Sequence, residues 1–216
     1  LKQTIMSTGR RGMSFLMQAN KAIGESNLLK VLQSEINHEL SSPSAFRDVE
    51  GCGSVGEFTL EWDEQKSQDI IMRRKCPMGE EVTVSALLGP PADDRDFLFF
   101  PRRVDMKVCV KKTSTSSALL FDCSVSEKKG GWSSFDIHNA SFLPFSASPL
   151  LSTYSGPEYR RLDDNLKGAF RQYLESRGVN NEVVDFLLLH LHRKEETQYI
   201  EWLQKLNYLV GAVVTD

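Results

Sequence analysis

The motif in the sequence that most resembles a chemical site is a glycine-rich hexapeptide. Gly51-Cys52-Gly53-Ser54-Val55-Gly56 has the G-x-G-x-x-G spacing of a dinucleotide-binding loop. Such a loop binds pyrophosphate where it leads into a helix, because the free N–H groups and the dipole at the helix N-terminus attract the anion. Here residues 57–62 alternate polar and apolar side chains, as a strand does. We therefore interpret the glycines as a flexible segment before the first strand, and we expect no cofactor.

The other residues that could carry chemistry lack the spacing that the chemistry needs. His190 and His192 are two residues apart, which places their rings about 200° apart around a helix and prevents them from sharing a metal ion. We interpret His192 and Glu196 as an exposed ion pair. Ser126 and Lys129 fit S-x-x-K but lie in a Lys-Lys-Gly-Gly turn without the companion motifs of that enzyme class. The sequence therefore predicts no catalytic residue, no metal site and no enzymatic activity.

One loop combines prolines with acidic residues and is a candidate binding surface. Within residues 89–96, Gly-Pro-Pro is followed by Asp93, Asp94 and Asp96. A solvated loop is the simplest interpretation, and the functional alternative is an acidic docking surface for basic partners. Glu57 and Glu61 would add to that surface if they share its face of the molecule.

The composition is that of a globular protein. Of 216 residues, 40% are hydrophobic, and no apolar run approaches the ~20 residues that span a bilayer, so we expect no membrane insertion. The net charge of −3 gives no basic footprint, and we do not expect direct nucleic-acid binding. The four cysteines contain no C-x-x-C pair, which predicts reduced thiols in an intracellular compartment.

The first 26 residues differ in charge from the rest of the chain. They contain four basic residues and one acidic residue, so they carry +3 and the remaining 190 residues carry −6. With no acid before Glu25, this Arg-, Ser- and Thr-containing segment is typical of the end of a mitochondrial or plastid transit peptide. A flexible basic terminus is the alternative. Because no secretory signal is present, we interpret the Asn139-Ala140-Ser141 glycosylation sequon as a chance match.

Hydrophobic periodicity predicts a helix followed by a sheet. The helix is capped by Asn27 and runs to about Leu40, with apolar residues three and four positions apart. Alternation with a period of two then marks the strand candidates, which lie at 57–62, 69–75, 81–88, 104–111, 119–126 and 132–138, the last continuing toward Phe145. No helix-length segment separates these candidates, which predicts six or seven antiparallel strands.

From Tyr154 the period returns to that of a helix. Ser155 and Glu158 have the spacing of a capping box, and Gly178 is a suitable left-handed stop. A second helix begins at Asn180 or Asn181 and runs to about Val210. The order of elements predicts an α+β fold, with residues 1–26 as a tail and residues 27–216 as one domain.

The apolar pattern of the last helix indicates that a second helix or a second subunit packs against it. Residues 183–191 are apolar around nearly the whole helix, and one sheet can cover only one side of it. We therefore expect another helix or another subunit on the other side. A narrower apolar stripe from Tyr199 to Leu209 could pair with the first helix as a short antiparallel coiled coil. The candidate helix-packing and oligomer residues are Leu28, Leu32, Ile36, Val184, Leu187, Leu191, Trp202, Leu203 and Leu206.

The two C-terminal helices resemble a known family. The segment 162–178, which reads Leu-Asp-Asp-Asn-Leu through Phe-Arg-Gln-Tyr-Leu-Glu-Ser-Arg-Gly, and the segment 194–206 are similar to the mitochondrial glycoprotein family. That family includes the mitochondrial acidic matrix protein and the complement- and hyaluronan-binding acidic protein. The opening helix and a first strand ending in Trp62 fit the same family. The similarity extends over about residues 27–210 and is strongest in 155–210.

The resemblance implies a strongly twisted, seven-stranded antiparallel sheet flanked by one N-terminal and two C-terminal helices, in a doughnut-shaped homotrimer of the mitochondrial matrix. It implies a non-enzymatic, multi-ligand binding or chaperone-like protein, linked to mitochondrial translation, ribosome function and oxidative phosphorylation. Its partners would be its own copies and other proteins, including basic or ribosomal ones. The charge of −6 is weak for this family, which argues against binding of basic partners by charge alone. Two alternatives stay open: a small-ligand-binding β-protein or enzyme with a site in the sheet concavity, and a plastid or nuclear location.

Overall fold

The structure is a computed structural model that describes residues 24–42, 46, 54–77, 79–91, 99–112, 114, 117–128, 130–144 and 156–212. The chain forms two compact units, one within residues 45–195 and the other within residues 1–44 together with 196–216. Most of the predicted transit peptide, residues 1–23, lies outside the described residues, and so do Asp93, Asp94 and Asp96.

The unit within residues 45–195 contains a seven-stranded antiparallel sheet whose strands lie side by side in chain order. The strands are β1 (Ser54–Val55), β2 (Phe58–Trp62), β3 (Asp69–Cys76), β4 (Glu80–Pro91), β5 (Arg102–Lys112), β6 (Ala118–Lys128) and β7 (Trp132–Leu143). Every strand predicted from period-two alternation is confirmed. Pairing of Val84 with Val108, and of Val108 with Phe121, keeps the apolar side chains of neighbouring strands on one face.

The glycine-rich segment forms part of a hairpin, which the sequence did not predict. Val55 pairs with Phe58, so that Gly56 and Glu57 make a two-residue turn between β1 and β2. Gly56 has a φ of 55°, the left-handed conformation that such turns require and that glycine adopts without strain. The interpretation as a merely flexible segment is therefore wrong for residues 54–56. A strand, not a helix, follows the turn, as expected.

The first C-terminal helix begins later than predicted. A 3₁₀ helix spans Tyr159–Arg161, and α2 spans Asp164–Glu175. The carboxylate of Asp163 accepts a hydrogen bond from the Asn165 N–H at 2.9 Å and caps α2. The predicted capping box is wrong, because Glu158 precedes the 3₁₀ helix and its side chain makes no cap hydrogen bond there. Ser155 lies outside the described residues.

The boundary between the two C-terminal helices is confirmed. Gly178 has a φ of 88° and is the left-handed stop after α2. The side-chain oxygen of Asn180 accepts a hydrogen bond from the Val183 N–H at 3.2 Å, and α3 follows from Asn181 to Gly211. Residues 181–195 of this 31-residue helix belong to the sheet-containing unit, and residues 196–211 belong to the other unit.

The core of the sheet-containing unit lies between one face of the sheet and the helices. Ring contacts join β6 to α2, with the centroid of Phe121 5.6 Å from that of Phe170 and 6.2 Å from that of Tyr173. The α3 residues in this core are at most 1% exposed, and they are Val183, Val184, Leu187, Leu188 and Leu191. The sequence left two alternatives for the other side of this segment, another helix or another subunit, and the structure supports the helix, because the segment shares one core with the sheet and α2 of the same chain.

The other unit contains α1, residues 24–41, and the C-terminal half of α3. Asn27 is not an N-cap as predicted, because residues 24–26 are already helical. Leu32 of α1 and Leu203 of α3 are both buried. The Tyr199 hydroxyl donates to Glu35 at 3.3 Å, and a methyl group at Gly211 would lie 3.5 Å from Leu29 Cδ2. Because early residues of α1 meet late residues of α3, the two segments run antiparallel.

Candidate binding surfaces

The described residues contain no cluster of three His, Cys, Asp or Glu side chains that could hold a metal ion. None of the described helices combines the length and the apolar character that crossing a membrane requires. An open cleft of about 370 Å³ is lined by Glu175, Asn180, Asn181 and Glu182. Small-molecule sites are usually closed and mostly apolar with a few convergent polar groups, so this polar cleft does not favour the ligand-binding alternative.

A serine and a histidine lie side by side on the sheet, a pair that the sequence did not indicate. Ser124 Oγ is 2.6 Å from His138 Nε2, and the two residues lie on the neighbouring strands β6 and β7. Nucleophilic catalysis would also require an accessible hydroxyl and donors for the oxyanion. Ser124 is only 7% exposed. We therefore interpret the pair as a structural hydrogen bond that satisfies the buried Ser124 hydroxyl.

Glu57 and Glu61, the two acids that would add to the docking surface predicted at residues 89–96, are both paired with arginines. Both side chains are exposed, but Glu57 pairs with Arg74 and Glu61 lies 2.9 Å from Arg73 Nε. Arg73 also pairs with Glu81 at 3.2 Å. Strand register places these arginines of β3 beside the acids, a placement that the spacing in sequence could not reveal. A partner held by charge would have to compete with them.

Two ion-pair networks tie the helices to the sheet. Glu80 on β4 pairs with Arg177 at 2.8 Å and with Lys112 at 3.4 Å. The hydrogen bond from Arg177 lowers the pKa of Glu80, with smaller contributions from the Arg177 and Lys112 charges. The Arg177 guanidinium also lies 3.5 Å from the centre of the Tyr173 ring. These contacts hold the end of α2 against the sheet and therefore contribute to the free energy of unfolding.

The second network joins Asp63, after β2, to α3. The Asp63 carboxylate lies 2.6 Å from Lys194 Nζ and 2.8 Å from His190 Nε2. Burial raises the pKa of Asp63, but the hydrogen bonds from Lys194 and His190 together with their charges outweigh burial, so the pKa is lowered. His192, on the same helix, is buried with Nδ1 2.7 Å from the Leu188 carbonyl. It is therefore not the exposed ion-pair residue that we expected.

The predicted packing residues fall into two groups. Val184, Leu187 and Leu191 lie in the core of the sheet-containing unit, and Leu32 and Leu203 are buried in the other unit. Ile36 and Leu206 are half-buried. Leu28 and Trp202 are exposed. Val31, Leu40 and Tyr208 are exposed as well, and so are Tyr199 and Leu209, which bound the apolar stripe predicted for α3.

Five of the exposed side chains, together with the half-buried Leu206, form one surface, which we call the α1–α3 apolar face. It comprises Leu28, Val31, Tyr199, Trp202, Leu206 and Leu209. The spacing of three or four residues places the α3 members along one side of that helix. The hydrogen bond from Tyr199 to Glu35 brings this side next to the flank of α1 that carries Val31, four residues earlier. Trp202 is 54% exposed, Val31 64% and Leu209 71%.

Comparison with known proteins finds a family match over the C-terminal half of the chain, which carries part of this surface. The family described as mitochondrial glycoprotein matches residues 100–210, just over half of the chain. The chain belongs to the mitochondrial glycoprotein family. The match spans β5–β7, α2 and nearly all of α3, so it includes the α3 side of the α1–α3 apolar face.

Relatives of this family member are named as mitochondrial proteins. A mitochondrial protein of uncharacterised function from Arabidopsis thaliana is 26% identical over 204 residues, which is 91% of this chain and 79% of that protein. The mitochondrial acidic protein mam33 of Schizosaccharomyces pombe is 34% identical over 53 residues, which is 24% of this chain and 20% of that protein.

Solved structures share the fold. The p22 protein of Trypanosoma brucei superposes with a TM-score of 0.66 at 22% identity, over 88% of this chain and all of that one. A Leishmania major protein described as a homologue of human p32 gives a TM-score of 0.66 at 16% identity, over 87% of this chain and 99% of that one. The predicted family and the predicted α+β fold, a seven-stranded antiparallel sheet with one N-terminal and two C-terminal helices, are therefore confirmed.

Proposed function

We propose that the protein is a non-catalytic homotrimer of the mitochondrial matrix that binds other proteins in a chaperone-like manner and supports mitochondrial translation and oxidative phosphorylation. The observation that carries this proposal is the α1–α3 apolar face, which a single chain leaves open to solvent. Family membership and the mitochondrial names of the relatives support the location and the class of function.

The physical argument for assembly rests on the cost of leaving this face in water. Soluble monomers rarely expose large contiguous apolar patches, and such patches mark association sites. Burying one exposed large apolar side chain is worth about 1.5–3 kcal/mol, and five members of the face are exposed, two of them aromatic. Each copy of the chain presents the same face, so a closed ring of copies can cover this face on every subunit. The family's doughnut-shaped trimer, with α1 and α3 paired as a short coiled coil, meets this need.

Light scattering on the purified protein tests the assembly. We expect a mass of about three times the 24.4 kDa chain. The variant Trp202→Ala should shift the mass toward one chain at low protein concentration. Trp132→Ala is the matched control, because Trp132 lies on β7 and is 58% exposed, against 54% for Trp202. A wild-type mass of one chain over a wide concentration range would refute the proposal, and so would equal behaviour of the two variants.

The same face can accept partner proteins when it is open, since large aromatic side chains dominate binding energy at protein interfaces. Glu57 and Glu61, which were expected to add to the docking surface, are already paired with arginines. We therefore expect partners, including basic or ribosomal proteins, to be held by apolar contacts as well as charge. Affinity purification from mitochondria at two salt concentrations separates these contributions, because salt screens exposed charges. Loss of every partner at high salt would contradict the apolar contribution.

The basic segment 1–26 is the proposed transit peptide. Imaging a fusion that keeps the native N-terminus should show mitochondrial import, and removal of residues 1–23 should abolish it. Location of the intact fusion in plastids or the nucleus would instead support the alternatives that the sequence leaves open.

A further inference from the structure

The two edges of the sheet are built differently. Within the described residues, one edge is β1, which is two residues long, and the other is β7, which is 12 residues long. A long edge strand presents N–H and C=O groups that can pair with a strand from another molecule, whereas a very short one offers little to pair with. The β7 edge is therefore where this sheet needs protection.

Arg171 of α2 lies across the β7 edge. Its Nη1 donates to the Phe135 carbonyl at 2.8 Å and its Nη2 donates to Ser134 Oγ at 3.0 Å. Successive side chains of a strand lie on opposite faces, and the guanidinium carbon also lies 4.4 Å from the centre of the Phe135 ring. A group that touches both Ser134 and Phe135 must lie at the edge between the two faces.

Arg171 is held in this position by its own helix. Its Nε donates to the Glu175 carboxylate at 2.9 Å, one turn further along α2. The guanidinium therefore has partners on three sides, one of them a backbone carbonyl of the edge strand. A strand that paired here would have to displace these hydrogen bonds and bury a permanent positive charge, which is costly.

The rest of the edge is closed by other means. Asp122 pairs with Asn139 and Cys123 pairs with Ile137, so His138 is an extra residue that makes a bulge in β7. Bulges bend an edge strand and interrupt its pairing pattern. Beyond the bulge the segment before α2 approaches the strand, since a methyl group on Gly156 would lie 3.5 Å from the Ala140 carbonyl. Arg171 thus protects the straight half of β7, on the N-terminal side of the bulge.

We propose that Arg171 prevents the β7 edge from pairing with a strand of a second copy of the chain, so that copies associate through other surfaces. This inference goes beyond the proposed function and does not depend on the trimer, because it concerns what happens when Arg171 is removed.

The test compares Arg171→Met with Arg103→Met, which removes the same charge from an exposed arginine of β5 whose carboxylate partner is Asp105 at 3.4 Å. In light scattering, Arg171→Met should show a mean mass that rises severalfold with protein concentration, with increased thioflavin fluorescence. Wild type and Arg103→Met should keep a constant mass. An unchanged mass for Arg171→Met would refute the proposal.

Hydrogen exchange distinguishes edge pairing from aggregation of unfolded chains. In the enlarged Arg171→Met species, amides of residues 133–137 should exchange severalfold more slowly than in wild type, while those of β4 and β5 stay as protected as before. Faster exchange throughout β4 and β5 would show that the larger species come from unfolding, and this result would also overturn the proposal.

Discussion

Gly178 offers a sharp test of the packing between the turn after α2 and the sheet. Its φ of 88° lies in the region that side-chain-bearing residues avoid, and a Cβ there would lie within 3.0 Å of Arg74 Nη1 and 3.2 Å from Phe58 Cε2. Phe58 is 1% exposed and cannot move into solvent. Gly178→Ala therefore meets both a backbone cost and a steric cost.

The magnitude follows from these two costs. Left-handed backbone costs a non-glycine residue about 1–2 kcal/mol, and forcing an extra carbon against a packed core costs about 1–3 kcal/mol. The Arg74 side chain can swing aside, but then it gives up its position beside Glu57. We expect Gly178→Ala to lose about 2–5 kcal/mol of unfolding free energy, a large share of the ~5–15 kcal/mol of a typical protein.

Substitutions at two other glycines separate the backbone cost from the steric cost, because neither site is crowded. Gly131 has a φ of 77° with nothing within 4 Å of a new Cβ, and Gly168 lies inside α2, also with nothing within 4 Å and with no positive φ. Gly131→Ala should therefore lose only the backbone cost of about 1–2 kcal/mol. Gly168→Ala should gain about 0.5–1 kcal/mol from improved helix propensity.

The assay is urea unfolding of all three variants at one protein concentration, because assembly makes apparent stability depend on concentration. Equal losses for Gly178→Ala and Gly131→Ala would refute the steric part of the reasoning. The double variant Arg74→Ala/Gly178→Ala should lose less than the sum of its two single variants, because removing the guanidinium relieves part of the clash.

Two further predictions concern the ionisable groups of the sheet-containing unit. Glu80→Gln should cost about 2–3 kcal/mol at neutral pH, since it removes charged hydrogen bonds from Arg177 and Lys112. Because the folded pKa of Glu80 is lowered from 4.5, its contribution is present above pH 4.5 and is lost as pH falls through the folded value. Urea unfolding at several pH values should thus show a shallower acid loss for Glu80→Gln, and parallel curves would contradict this assignment. Burial raises the pKa of Cys123 to about 12, so this thiol should resist alkylation at neutral pH until urea is added. Mass spectrometry measures the modification, and equal labelling with and without urea would show that the strand opens readily.

The sheet could be predicted from the sequence because its signal is local. In β5, Val104, Met106, Val108 and Val110 alternate with polar residues, and that pattern needs no knowledge of neighbours. β1 was missed because two residues show no period. The start of α2 was misplaced because Ser155 and Glu158 match a capping box by spacing. Asp163 supplies the actual cap, and the preceding Leu162 is extended with a ψ of 154°.

The candidate surfaces could be predicted only in part, because periodicity shows which side of a helix is apolar and not what covers it. Residues 183–191 looked unpartnered, but the sheet and α2 bury them. Trp202 was a candidate for helix packing or for an oligomer interface, and it is 54% exposed in the single chain. The amino-acid sequence gives no sign of contacts between residues that are far apart along the chain. Glu80 and Arg177 are 97 positions apart, and only the fold brings the turn after α2 to the first residue of β4.

These differences bear on how the protein associates with its copies. The sheet-containing unit buries its own core, holds its helices with ion pairs and has a protected edge at β7. The α1–α3 apolar face, by contrast, leaves its tryptophan and its tyrosine exposed to water in the single chain. Substitutions at Glu80 should then change stability and leave assembly intact, whereas substitutions at Trp202 should change assembly and leave the acid sensitivity of the sheet intact. If both kinds of substitution changed both properties equally, association and folding of the sheet would have to be one event.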